Sequence, residues 1–403
     1  MITISKWTAA LAATLAAISV NIVEFEIILL SESLSLFYVL SCIALLIWII
    51  KKNQWEPNPL LILSFLIGMA LYTRPNNGIL FPLAVVSYFL FQGDSVFNLF
   101  ASFKRQEFLL GLACLCAPFL ILVCSWCLIN KNNNGFFTLS TLSGFLTTTT
   151  VGNFIELAPN QFAALRDPYV QKREQNYREY GPNNFGETIW KARDEYMKNS
   201  GEITGWDNTV QLSPQRRFAL LSQKVAEMTS SLILHHPILY AKNIFHGLIR
   251  YWEPGYFSPS TSSCINERAP GTKDGPVIKS GRIHQMILRL WEIEKPIAKG
   301  LNWLFLLSVP IIFLMMIFRG SQTATLLMIP ICATLLNSLA SAAFAYVDQR
   351  NGEPYLPLVY LTVVIVFHSA CQLSKHARIC SVKTRINKDC VVSGHTIKNF
   401  FLY

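Results

Sequence analysis

The chain is 403 residues long, 52% hydrophobic and only 14% charged, with a formal net charge of +10 and a mean hydropathy of +0.36. Soluble domains carry about 25% charged residues, so these proportions argue against an ordinary soluble enzyme and for a chain in which apolar stretches meet lipid. The basic excess does not indicate nucleic acid: much of it falls in short loops and a C-terminal tail, where anionic headgroups account for it, and no basic stripe interleaved with aromatics accompanies it.

In chain order, apolar runs near the ~20 residues needed to cross a bilayer lie at Trp7–Leu30, Leu34–Ile50, Leu109–Leu128, Leu301–Phe318, Thr323–Phe344 and Tyr355–Leu373. Two shorter ones, Leu60–Tyr72 and Gly78–Phe91, stand back to back. Together they predict an all-α polytopic membrane protein of about eight spans. Lys51, Lys52, Lys104, Arg105 and Arg319, with Lys375, Arg378, Lys383, Arg385 and Lys388 of the tail, then share one side, as the positive-inside rule requires. The opposite side receives Ser31–Glu32, the Arg74–Pro75 turn, all of 129–300, and the loop with Asp348 and Arg350. A cleaved secretory signal after Lys6 is the rival reading of the first run, which is long for a signal and runs on past any small-residue cleavage site.

Four parts result: membrane helices over 1–128, an extracytoplasmic segment over 129–300, membrane helices over 301–373 and a basic cytoplasmic tail over 374–403. Within the second, Gly135–Asn153 alternates aromatics with Thr and Ser and predicts extended structure, giving this segment a mixed character. Arg166–Lys198, rich in Lys, Glu, Arg and Tyr, predicts solvated helix. Ser213-Pro214 opens a helix over Gln215–Leu234 that ends before Pro237. Pro237–Trp252 combines Leu, Ile, Phe and Trp with Lys242, His246 and Arg250. It suits either a helix lying in the membrane interface, with Tyr251, Trp252 and Tyr256 at headgroup level, or an amphipathic helix packed on the domain.

The ten cysteines form neither a disulfide framework nor a zinc site. Cys42, Cys114, Cys116, Cys124, Cys127, Cys332 and Cys371 sit in apolar runs as small apolar side chains, and Cys264 is alone in the exposed segment. His235 and His236 are adjacent, and adjacent residues on a helix do not face one another. Ionisable residues at the ends of membrane helices are costly and point to function. Glu32, Arg74 and Arg350 fall on one predicted side, where a carboxylate can bind a cation or take a proton and guanidinium forks match phosphate oxygens. Each can also simply snorkel to water. Glu24 and Glu26 lie deeper in the first run, either paired within the bundle or lining the same cavity.

Several stretches together carry a family resemblance. They are Leu-Leu-Ser-Glu-Ser-Leu (29–34), Gly-Met-Ala-Leu-Tyr-Thr-Arg-Pro (68–75), Asn-Gly-Phe-Phe-Thr-Leu-Ser-Thr-Leu-Ser-Gly (134–144), His-His-Pro-Ile-Leu-Tyr (235–240), Arg-Tyr-Trp (250–252), and Arg350 followed by Pro-Tyr-Leu-Pro-Leu (354–358). In that order the chain resembles the GT-C class of membrane glycosyltransferases, particularly the family-39-like group with the protein mannosyltransferases and the lipid A aminoarabinose transferase. The resemblance implies sugar transfer from a polyprenyl-phosphate donor to a lipid, glycan or protein acceptor outside a bacterial inner membrane. It also implies that Glu32 matches the second acidic position, near donor phosphate or a bound divalent cation (magnesium or manganese), and that Arg74 and Arg350 suit the lipid phosphate. The chain departs from the family in having one helix before Glu32. Two helices, and the principal catalytic carboxylate between them, are expected to be missing from it. Two other classes stand beside this reading: a transporter or flippase for a lipid-linked saccharide, and a non-catalytic remnant or assembly partner.

Overall fold

A computed structural model describes residues 14, 31–92, 106–180, 186–199, 203, 212–252, 282–319, 322–344 and 355–367. Among them the regular elements are helices, with no strand. The predicted first span Trp7–Leu30, with Glu24 and Glu26, lies outside the described residues, as do Cys264, Arg350 and the basic tail.

Apolar composition alone dictates most of the membrane helices. Four stretches are long and apolar enough to cross a bilayer: Leu34–Lys52, Gln106–Asn134, Pro296–Leu314 and Leu326–Ala343. Pro57–Thr73, Pro75–Phe91 and Leu356–Phe367 are apolar but shorter. At 1.5 Å per residue, the 17 residues of Pro57–Thr73 extend about 26 Å, somewhat less than the ~30 Å hydrocarbon core. An integral membrane protein follows.

The chain divides into two compact units. The first takes in Met1–Gln54, Glu253–Leu335 and Glu353–Tyr403. Its helices are α1 (Ser31–Lys52), α10 (Arg282–Arg319), the first part of α11 (Gln322–Phe344), and α12 (Leu356–Phe367). Helix α1 ends for a clear local reason. Asn53 takes a left-handed conformation, φ 51°, its N–H donates to the Ile50 carbonyl and that of Gln54 to the Ile49 carbonyl. This pair of bonds satisfies two orphan carbonyls of the last turn, and Lys51 and Lys52 complement the negative end of the helix.

The second unit comprises Trp55–Trp252 and Leu336–Gly352. Helices α2 (Pro57–Thr73) and α4 (Gln106–Asn134) form its apolar part with α3 (Leu80–Gln92). A Cβ added to Gly68 would overlap Leu122, so the small residue is what lets α2 and α4 approach. Their contact also carries polar links suited to a medium without water. Tyr72 donates to the Leu122 carbonyl at 2.5 Å, Ser64 accepts from the Phe119 N–H just past the helix-interior Pro118 at 3.0 Å, and Phe81 stacks on Phe119.

The polar part of this unit runs through α5 (Ser143–Val151), 3-10 turns at Gly152–Leu157 and Asn160–Phe162, α6 (Ala163–Tyr180), α7 (Gly186–Lys198), α8 (Pro214–His235) and α9 (Pro237–Trp252). Here the structure corrects the reading of Gly135–Asn153 as extended over its second half, where α5 and the 3-10 turn after it take over from Ser143; among the described residues of 129–300 the regular elements are helices. Gly144 rests so closely on α8 that a Cβ would run into the Ser222 backbone carbonyl, while the Gly144 N–H donates to Ser222 Oγ at 3.3 Å. Packing on α8 outweighs the modest strand preference of Thr147–Thr150, and the hydroxyls of Thr147, Thr148 and Thr149 bond back to the helix's own carbonyls, as at Thr148 to Gly144.

The segment predicted as solvated helix is instead two helices, α6 and α7, with an apolar side. Tyr169, Ile189, Ala192 and Tyr196 are buried with Phe145, Ile155, Leu221, Val225 and Met228 in one core. Tyr196 donates to the Leu165 carbonyl at 2.7 Å and Asn176 to Thr188 at 2.9 Å, so these two buried side chains find partners within the domain. The start of α8 follows its capping signal: Ser213 accepts from the Arg216 N–H, with Pro214 in the first turn.

Candidate functional site

Helix α2 stops at the residue that proline dictates. Pro75 disfavours helical geometry at the residue before it, and Arg74 is extended, φ −151° and ψ 124°. The turn is then locked from below: Thr73 Oγ1 donates to the Ala70 carbonyl at 2.6 Å and buried Asn77 Nδ2 to the same carbonyl at 3.0 Å. Arg74 is half-buried and has interactions of its own within the protein. Beside it, Asn76 Nδ2 reaches Ser341 Oγ in α11 at 3.4 Å.

That contact falls on the same turn of α11 that receives the polar helices. The Ala343 carbonyl accepts from Tyr240 Oη of α9 at 2.7 Å and, at the long distance of 3.5 Å, from Thr150 Oγ1 of α5. Asn243 Nδ2 of α9 donates to the Thr150 carbonyl at 2.8 Å. Further along α11, Asn337 Nδ2 donates to Tyr251 Oη at 2.9 Å. A polar junction thus gathers the Arg74 turn, the last turns of α11, α5 and α9.

A second polar cluster lies in the helical domain around Gly152. Arg173 Nη1 donates to the Gly152 carbonyl at 2.6 Å and to Glu156 Oε2 at 2.8 Å. Tyr169 Oη packs against Gly152 as well. It is fully buried, and burial pushes its ionisation well above the ordinary range, opposed by the Arg173 charge. Burial also raises Tyr177, opposed by Arg173, with Glu156 reinforcing the rise and Arg250 opposing it. These directions follow from the cost of an anion in an apolar site.

Of the residues singled out from sequence, Arg74 belongs to the junction. Glu32 stands in the first turn of α1, which belongs to the other unit, and Arg350 lies outside the described residues. No three His, Cys, Asp or Glu side chains among the described residues come together as a metal site. His235 Nδ1 contacts the Ser231 carbonyl at 2.7 Å, within its own helix, and His236 meets the edge of Phe154, which gives each a local role and no shared ligand. Sequence reasoning assigned no part in such a junction to Thr150, Tyr240, Asn243, Asn337 and Ser341, and gave Tyr251 only a place at headgroup level. The available signal was Asn337, an amide inside an otherwise apolar run; the rest needed contacts across up to 265 residues.

Comparison with known proteins returned no matching family profile, curated protein or solved structure.

Proposed function

We propose that the chain belongs to the machinery of sugar transfer from a polyprenyl-phosphate donor, as a membrane glycosyltransferase. The observation that supports this most is the Arg74 turn: a half-buried arginine at the end of an apolar helix, flanked by Thr73 and Asn77, which both bond to the Ala70 carbonyl, and by Asn76, which reaches Ser341 at the junction of α5, α9 and α11. Such a position suits a phosphate at the lipid surface. In the proposed reaction the bond between the sugar's anomeric carbon and the phosphate oxygen breaks, and a bond to the acceptor hydroxyl oxygen forms. The acceptor proton passes to a carboxylate, and the polyprenyl phosphate leaves as an anion. Arg74, with Arg350, would stabilise charge growing on that leaving group, an effect present before the reaction and strongest as the bond breaks. Glu32 is put forward for the acidic role near the donor.

Full-length protein reconstituted with a polyprenyl-phosphate sugar and followed by release of polyprenyl phosphate tests the reading. Arg74→Ala is expected to lower the rate on the order of 100-fold or more, with Arg74→Lys recovering only part because the bidentate fork is lost. Absence of release from wild type, or equal rates in Arg74→Ala, Glu32→Gln and wild type, would count decisively against it.

A further inference from the structure

Helix α9 is amphipathic in the opposite sense from a soluble surface helix. Its inward side carries Tyr240, Asn243 and Tyr251, which bond to Ala343, Thr150 and Asn337. Its outward side carries Ile238, 82% exposed, Phe245, 61%, and Ile249, 44%. Offsets of seven and four residues put these three on one stripe. Leu234, 79% exposed, precedes them at the end of α8. No residue of α9 is fully buried, so the apolar stripe is left without a protein partner among the described residues.

The position of α9 along α11 says what covers that stripe. The apolar stretch Leu326–Ala343 continues in sequence through Phe344-Ala345-Tyr346-Val347 and turns polar at Asp348-Gln349-Arg350. Tyr240 is tied to Ala343, five residues before that change. Tyr251 is tied to Asn337, six residues further back along the helix, about 9 Å at 1.5 Å per residue. The helix therefore starts near the polar end of the apolar stretch and descends alongside it, through the depth at which interfacial helices seat their apolar face, roughly 5–10 Å below the headgroup boundary. Its charges agree with this position. Lys242, His246 and Arg250 recur every four residues along one edge, Lys242 and His246 exposed, and the helix has no Asp or Glu.

We propose that α9 is a lipid-embedded helix that enters one leaflet obliquely. Ile238, Phe245 and Ile249 insert among the acyl chains of one leaflet, and Lys242 with His246 meets the phosphates of anionic phospholipids. Long cationic side chains reach headgroups while their stems lie along acyl chains. The proposal stands independently of sugar transfer.

Full-length protein carrying the photoreactive amino acid benzoylphenylalanine in place of Phe245, and separately of exposed Gln223 in α8, is reconstituted in phosphatidylethanolamine–phosphatidylglycerol vesicles. It is then irradiated, and the adducts are identified by mass spectrometry. Lipid adducts are expected at 245 and not at 223. Lipid labelling at 245 no greater than at 223, or cross-links from 245 chiefly to a second copy of the chain or another protein, would overturn lipid embedding. Adding Lys242→Gln is expected to cut the excess of phosphatidylglycerol over phosphatidylethanolamine adducts by about five-fold, the effect of one surface cation. An unchanged ratio would overturn the anionic-lipid contact.

Discussion

Within the second unit, the α2–α4 helices and the polar domain α5–α8 use the same apolar side chains in opposite directions. In α4, Leu110, Leu120 and Ile121 point outward and are exposed, while the contact with α2 is made by Gly68, Ser64 and Tyr72. In the domain, Leu221, Val225 and Met228 point inward to a shared core and charge faces out, as in the Lys224–Glu227 pair. Where lipid surrounds a helix, burying Leu gains little and small or polar contacts hold helices together; where water surrounds it, apolar burial is the main driving force. Helix α9 has the inward polar face of the first region while belonging in sequence to the second.

The sharpest way to break this contrast is a matched pair of truncations in the full chain. Leu221→Ala in the domain core is expected to cost about 2–5 kcal/mol, and Ile121→Ala on the outward face of α4 no more than about 0.5 kcal/mol. Thermal unfolding in detergent checks the pair, and equal losses would mean that α4 packs in the manner of a soluble core. Next in size is Gly144→Ala. Its new methyl meets the Ser222 backbone, which cannot swing aside as a side chain can, and a loss of about 1–3 kcal/mol is expected. A variant as stable as wild type would show that α5 is free to shift on α8.

Tyr240→Phe removes the bond to Ala343 and leaves that carbonyl without its shorter contact. A cost of about 0.5–1.5 kcal/mol is expected, together with faster hydrogen exchange in α9. The smallest effect is expected at Tyr169. Its hydroxyl has no hydrogen-bond partner among the described residues, so Tyr169→Phe should change stability at neutral pH by less than about 1 kcal/mol, whereas removing a bonded buried hydroxyl would cost more. The same tyrosine gives the pH dependence its sign. Folded Tyr169 and Tyr196 keep their protons where the unfolded chain sheds them, because burial raises both. Their contribution is therefore intact below the ordinary tyrosine range near pH 10 and is lost as pH climbs beyond it. Tyr169→Phe should flatten the alkaline fall seen in urea unfolding between about pH 9 and 11.

How much was legible depended on whether the signal was local. Seven of the eight expected apolar runs recur as helices, because a run of Leu, Ile and Phe near bilayer length needs no partner to declare itself; four of these are long enough to cross a membrane. The cap at Ser213 and the stop before Pro75 are equally local, since each depends on one side chain and its immediate backbone. Gly135–Asn153 was misread because alternating aromatics and Thr look the same in a strand and in a short helix, and the deciding contact, Gly144 on Ser222, is 78 residues away. The junction was out of reach for the same reason: Asn76 and Ser341 each look like an ordinary polar residue until the fold brings them onto one turn of α11. Composition by itself determined that this chain lives with lipid. Tertiary structure alone decided which polar atoms meet and that α9 turns its apolar stripe outward, because a helix has several faces and only its neighbours select the one that is covered.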